Sequence, residues 1–190
     1  MRLFLAVFPP LAVREAVFAA AAPLRLTGAG VSWVKAENLH YTMRFLGEVG
    51  EDGAWRAAEA AAEAAAVEPA FPAELGAFGA FPNPARARVI WVGMTAGAEA
   101  LKSLAAALER ALTRRGFGRA DKPFAAHLTL GRVRDPRASW SDTLRRTPPL
   151  AGGAARFTVE RLSVVESTLS PKGSTYAVRA EAALRRAGRH

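Results

Sequence analysis

The chain has no cysteine, only three histidines and two tyrosines, and just four lysines among its 26 basic residues. Without cysteine it can form neither a disulfide nor a thiolate metal site, and a reducing cytoplasm is the simplest compartment. One of the three histidines, His190, is the last residue, so two internal imidazoles remain where a zinc site needs three or four ligands. No metal and no cofactor are therefore expected. Nor is there an uninterrupted stretch near the roughly 18 apolar residues of a spanning helix. The opening MRLFLAVFPPLAVREAVFAAAAP imitates a secretory leader, with one basic residue, an apolar run and an alanine tail. Pro9, Pro10 and the Arg14 and Glu15 pair interrupt that run, so it is not read as one and a soluble protein is expected.

What is present is ample core material: 190 residues, 51% hydrophobic and 23% charged, enough for one domain or two intimate lobes. The net charge is +9, and 22 of the basic residues are arginine. Arginine's planar fork suits bidentate phosphate binding, which fits a polyanionic partner such as RNA. A coding bias that inflates alanine and arginine together explains the same composition, and many of the arginines fall on ordinary helix faces.

Along the chain, RLFLAVF (2–8) reads as a strand entering a Pro-Pro turn, and LAVREAVFAAAAPL (11–24) as a helix. VSWVKAENLHYTMRFLGEV (31–49) reads as two extended pieces around AEN. Glu51 to Val67 is an alanine-packed helix ending before Pro69. Residues 70–95 read as two strands around FPNPAR, and 97–117 as a helix stopped by Gly116. FAAHLTLGRV (124–133) is a strand, 139–147 a short helix, 156–168 a long strand and 175–181 a last strand. This is an α+β layout in two halves, each with strands, a long helix and one histidine-bearing strand, and no short-period repeat or linker. One bilobal domain over 1–183 and a frayed basic tail over 184–190 are expected.

The two internal histidines stand in HYTM (40–43) and HLTL (127–130), 87 residues apart, each followed two places later by threonine. On a strand, residues i and i+2 share a face, so His40 projects with Thr42 while Tyr41 and Met43 face the core. His127 projects with Thr129, and Leu128 and Leu130 face inward. If the lobes set those faces opposite each other, a cleft results with two imidazoles and two hydroxyl donors. An imidazole pair can take one proton while giving another near neutral pH, and hydroxyls and an arginine can bind the oxygens of a phosphodiester. Arg44 and Arg132 are the arginine candidates. Parity places Arg44 on the His40 face, whereas Arg132 reaches the His127 face only if its strand bulges or ends near Gly131. Trp33, Trp91, Phe45 and Phe78 are read as core, while Phe8 and Phe124 lie nearer the presumed cleft and are candidates for stacking on a base.

The stretches WVKAENLHYTMRFLGEV, FPNPARARVIWVG, FAAHLTLGRV and ESTLSPKGSTY resemble, in order and spacing, the two-histidine (2H) phosphoesterase superfamily. Within it the chain is most similar to the RNA 2′,3′-cyclic phosphodiesterases, first known as 2′-5′ RNA ligases. The resemblance runs from RLFLAVFPP to Tyr176. It implies a bilobal fold of two antiparallel-sheet lobes and a metal-free, ATP-independent opening of the cyclic phosphate that leaves a 2′-phosphate. It also implies His40 as proton donor, His127 as proton acceptor and Arg132 as phosphate ligand, ranking Arg132 above Arg44 against parity. The partner implied is RNA with a cyclic phosphate end, or a cyclic nucleotide. Apart from the resemblance, a monomer is expected, in the cytoplasm and without a membrane. A non-catalytic module that binds RNA ends is the alternative from another class. Ligation, the same chemistry run backwards, is a further one.

Overall fold

The computed structural model describes residues 1–27, 30–135, 137–171 and 173–186. Strands β1 (Arg2–Val7), β2 (Val31–Trp33), β3 (Tyr41–Glu48), β4 (Phe71–Phe81), β5 (Val89–Ala96), β6 (Leu128–Val133), β7 (Arg156–Val159), β8 (Arg161–Ser170) and β9 (Gly173–Ala183) form two antiparallel sheets. One has the order β3-β1-β8-β9, the other β2-β6-β5-β4-β7. Helices α1 (Leu11–Ala20), α2 (Ala22–Arg25), α3 (Glu51–Val67), α4 (Ala98–Arg114) and α5 (Ser141–Arg146) complete the α+β arrangement.

Each sheet draws strands from both ends of the chain, so the lobes are not the sequence halves. The two extended pieces of 31–49 separate: β2 joins the five-stranded sheet and β3 the four-stranded one. Both long helices lie together, α3 packing on α4, β8 and β9, and α4 reaching β3. The alanine spacing of α3 explains the close approach, since Ala57, Ala60, Ala61, Ala64 and Ala65 are all buried along one face. In the four-stranded sheet, Leu3, Leu5 and Val7 of β1 face the main core. The alternate residues Phe4 and Ala6 join Val165 in a small cluster on the opposite face, against which Phe8 and Tyr176 pack.

Several expected elements are shorter or split. The helix expected over 11–24 breaks at Ala21, with Pro23 in the first turn of α2 where its missing N–H costs nothing. The long strand of 156–168 is two strands in different sheets, divided at Glu160, whose carbonyl accepts from the Leu184 amide. The second histidine strand begins only at Leu128, because the His127 amide turns back onto the Ala125 carbonyl at 2.9 Å. Two residues assigned to the tail are held in place. Leu184 is buried, and the Arg185 amide donates to the carbonyls of Ala65 and Glu68. Residues 187–190 of that tail, with His190, lie outside the described residues.

Candidate active site

The first motif enters β3 from a short helical turn at Ala36–Asn38. His40 Nδ1 donates to the Asn38 carbonyl at 2.7 Å, and because a carbonyl can only accept, the neutral ring carries its proton there. Nε2 is left as an acceptor, and the Thr42 hydroxyl donates to it at 3.0 Å. Tyr41 and Met43 are buried on the other side. The ring is enclosed by Phe4 at 4.9 Å, Tyr176 at 5.4 Å and Phe8 at 5.5 Å between centroids. The Asn38 side chain donates to the Ser174 carbonyl at 2.9 Å, pinning this turn to the strand that carries Tyr176. Arg14 braces the same corner. Its Nε donates to the Pro9 carbonyl at 2.9 Å, its Nη1 donates to the Glu37 carbonyl, and its guanidinium lies over Phe8.

The second motif sits on the other sheet. Leu128 and Leu130 are buried while His127 and Thr129 are half-buried. Phe81 meets His127 edge-on at 4.9 Å, and Trp91 lies 6.3 Å away. Gly79 makes room for that indole, since a Cβ there would fall inside it. His127 Nδ1 is buried without a hydrogen-bond partner among the described residues.

Two β-bulges decide between the arginines. In the β1–β3 ladder Ala6 faces Thr42 and Leu5 faces Arg44, so Met43 is the extra residue. The bulge carries Arg44 off the histidine face to the side of Leu5, which belongs to the core. There it pairs with Glu109 of α4 at 2.7 Å, only 11% exposed. The parity expectation for Arg44 thus fails at Met43. In the β5–β6 ladder Trp91 faces Thr129 and Val89 faces Arg132, with Leu130 the extra residue. Arg132 is thereby returned to the face of Thr129 and Trp91. Gly131 fits the crowded bulge because a Cβ would lie 2.7 Å from Val31 and 2.8 Å from Trp33.

Thr42 of the first motif and His127 of the second line one cavity of about 1000 Å³, with Phe124 and Arg44 farther along its wall. Tyr176 and Phe8 touch the His40 ring, and Arg132 shares its strand face with Thr129 and with Trp91, the indole that lies beside His127. Phe124 borders the cavity. Tyr176, Phe81, Arg14 and Asn38 were missed by sequence reasoning. Only Tyr176 left a signal, as the end of the ESTLSPKGSTY stretch. Phe45 is 49% exposed and is not the core residue expected of it, whereas Phe78 is buried.

Burial lowers the pKa of both imidazoles. For His40 the Asn38 carbonyl partly opposes the shift and Arg14 adds to it. For His127 the Ala125 carbonyl partly opposes it and Arg132 adds to it. Both rings are therefore neutral at pH 7 in the free protein, and the unfolded chain binds the extra protons once pH falls below about 6.5. With the unfolded state holding more protons in that window, stability is intact above it and declines as pH drops toward the folded-state values. The denaturant midpoint should fall between pH 7.5 and pH 5, and fall less in a His40→Gln/His127→Gln double variant. Equal falls would place the proton linkage elsewhere. Asp135, held down to about 2 by Arg137, titrates too low to contribute in this range.

Comparison with known proteins places these observations in a family frame. The LigT-like phosphoesterase family matches twice, over residues 7–91 and 92–176, one H-x-T motif in each match. An Archaeoglobus fulgidus protein named RNA 2′,3′-cyclic phosphodiesterase is 40% identical over 179 residues, covering 93% of this chain and 96% of its own. A Thermus thermophilus protein of the same name is 36% identical over 197 residues, covering 97% and 91%. Among solved structures, one from Thermus thermophilus superposes with a TM-score of 0.81 at 33% identity, covering 98% of this chain and 99% of that one. Escherichia coli LigT complexed with 3′-AMP superposes with 0.78 at 29%, covering 96% and 97%.

Proposed function

The chain belongs to the LigT-like phosphoesterases, and from that premise we propose that it is an RNA 2′,3′-cyclic phosphodiesterase that opens the cyclic phosphate to a 2′-phosphomonoester by metal-free acid and base catalysis. The observation that carries this reading is the pair of H-x-T motifs on separate sheets, with Thr42 and His127 on the wall of one cavity. His127, kept neutral by burial and Arg132, takes a proton from water as the water attacks phosphorus. His40 delivers a proton from Nε2 to the departing 3′ oxygen. It needs that proton first, and the anionic phosphate supplies the field that raises its affinity, with the Asn38 carbonyl steadying the charged ring through Nδ1. Thr42 and Thr129 donate to the non-bridging oxygens, and Arg132 offsets the charge that builds on them. The same reading makes the protein a monomer, its two motifs lying within one chain, and its lack of cysteine suits the cytoplasm.

The direct test is conversion of cytidine 2′,3′-cyclic phosphate in the presence of EDTA, with the product isomer identified. The 2′-phosphate should appear at an unchanged rate with chelator or added divalent metal. A tenfold loss in EDTA restored by one metal overturns the metal-free course, and a 3′-phosphate product reverses the leaving oxygen.

Thr42 is exposed and Thr129 half-buried, so neither is a core contact. Thr42→Ala and Thr129→Ala should each lose on the order of 1 to 3 kcal/mol of transition-state stabilisation in kcat/KM while melting close to the unaltered protein. Full activity in both, or unfolding of both, contradicts their role as phosphate donors.

A further inference from the structure

The cavity that begins at Thr42 and His127 is far larger than a cyclic phosphate and its ribose require. At about 1000 Å³ it stands at the upper end of small-molecule sites. It runs away from the histidines along β3 from Thr42 to Gly47, about 16 Å at 3.3 Å per residue. The facing walls are α4 and the segment 119–125. Its lining carries four cations, Arg44, Lys102, Arg119 and Lys122, against two carboxylates, Glu109 and Asp121.

The cations are not equivalent. Arg44 is tied to Glu109, and Lys102 pairs with Glu99 at 2.7 Å. Glu109 also accepts from the Ala120 amide at 2.8 Å, which anchors the 119–125 segment to α4. Arg119 and Lys122 are exposed on that segment and make no ion pair or side-chain hydrogen bond among the described residues. An aromatic ring accompanies them. Phe45 faces Phe4 across the β1–β3 ladder, which puts it on the face that Thr42 shares with Ala6, and it is 49% exposed. The Arg2 guanidinium covers the Phe45 ring at 4.9 Å.

We propose that this groove is a binding track for single-stranded RNA beyond the reacting nucleotide, with Phe45 as a stacking platform and Arg119 and Lys122 as phosphate contacts. Free cations interleaved with an exposed aromatic ring, in a trough that opens onto the reaction site, are the features that hold a single strand without reading its sequence. The inference rests on the phosphodiesterase reading for the reacting end and adds a strand site that a mononucleotide leaves empty. Two strands share this chemistry: the substrate's own chain upstream of the cyclic phosphate, and a separate strand presenting a 5′-hydroxyl.

The test compares the unaltered protein with Arg119→Ala/Lys122→Ala and with Phe45→Ala. The substrates are cytidine 2′,3′-cyclic phosphate and an RNA hexamer ending in the same group. If the track holds the upstream chain, the hexamer has the higher kcat/KM. Each variant then lowers the hexamer-to-mononucleotide ratio about tenfold, mainly through KM. Loss of two phosphate contacts should also make the log–log salt dependence of the hexamer KM shallower by about 1.4, at roughly 0.7 per single-strand phosphate. If the track holds a separate strand, length gives no advantage. A 5′-hydroxyl hexamer without a cyclic phosphate then inhibits mononucleotide turnover, and the variants relieve that inhibition. Equal constants for both substrates together with no inhibition overturn the proposal. Should neither substrate be turned over, the phosphodiesterase reading fails on its own, and fluorescence anisotropy of labelled hexamer on the same variants still judges the track.

Discussion

Replacing His40 and His127 together by alanine is expected to cost scarcely more activity than replacing either alone. Each single variant should lose at least roughly 10² to 10⁴-fold in kcat, the ordinary contribution of a positioned acid or base. The proton that His127 removes and the proton that His40 delivers belong to one displacement at phosphorus, so once either transfer is gone the concerted path is closed. A double variant that loses the product of the two single factors would mean that the histidines act in separate steps. The pH profile of kcat/KM should be bell-shaped, with both limbs belonging to the coupled pair and displaced below the ordinary histidine range, because burial lowers both rings. A substrate whose leaving oxygen needs no proton divides the roles further: it should rescue His40→Ala far more than His127→Ala. Equal rescue, or rescue of His127→Ala alone, would reverse the assignment of acid and base.

Much of this arrangement was legible in the sequence because it follows from local periodicity. The spacing of two between histidine and threonine placed the motifs on strand faces, and the alanine and leucine patterns marked α3 and α4 to within a few residues. What escaped were features set by pairing between distant segments. Nothing local marks Glu160 as the point where one apparent strand becomes two, because the division comes from which sheet each half joins. The enclosure of His40 by Phe4, Phe8 and Tyr176 joins residues at opposite ends of the chain. Phe45 was misread for a related reason: β3 is an edge strand, and its outer face borders an open groove where a buried position was expected.

The bulges are the sharpest instance, and they lead to the second large effect. Parity treats a strand as a regular ladder, yet one extra residue between threonine and arginine in each motif strand, Met43 or Leu130, exchanges the positions that parity gave to Arg44 and Arg132. Arg132→Ala should therefore lower kcat for cytidine 2′,3′-cyclic phosphate by roughly 10² to 10³-fold, the usual cost of removing a preorganised donor from a developing oxyanion. Its thermal midpoint should change little, because the side chain is exposed. Arg132→Lys should recover part of the loss, since charge returns without the planar fork. The acid limb of the pH profile should also move upward in Arg132→Ala, because the arginine's charge no longer holds the His127 pKa down. Arg44→Ala should do the reverse. Removing a guanidinium that is 11% exposed strands Glu109 and loosens the 119–125 segment that Glu109 anchors, so the midpoint should drop. Turnover of the mononucleotide by the folded fraction should stay within a few-fold of the unaltered protein. If Arg44→Ala instead abolishes turnover at full stability while Arg132→Ala is nearly silent, the bulges do not control which arginine meets the phosphate, and the regular-strand reading was right.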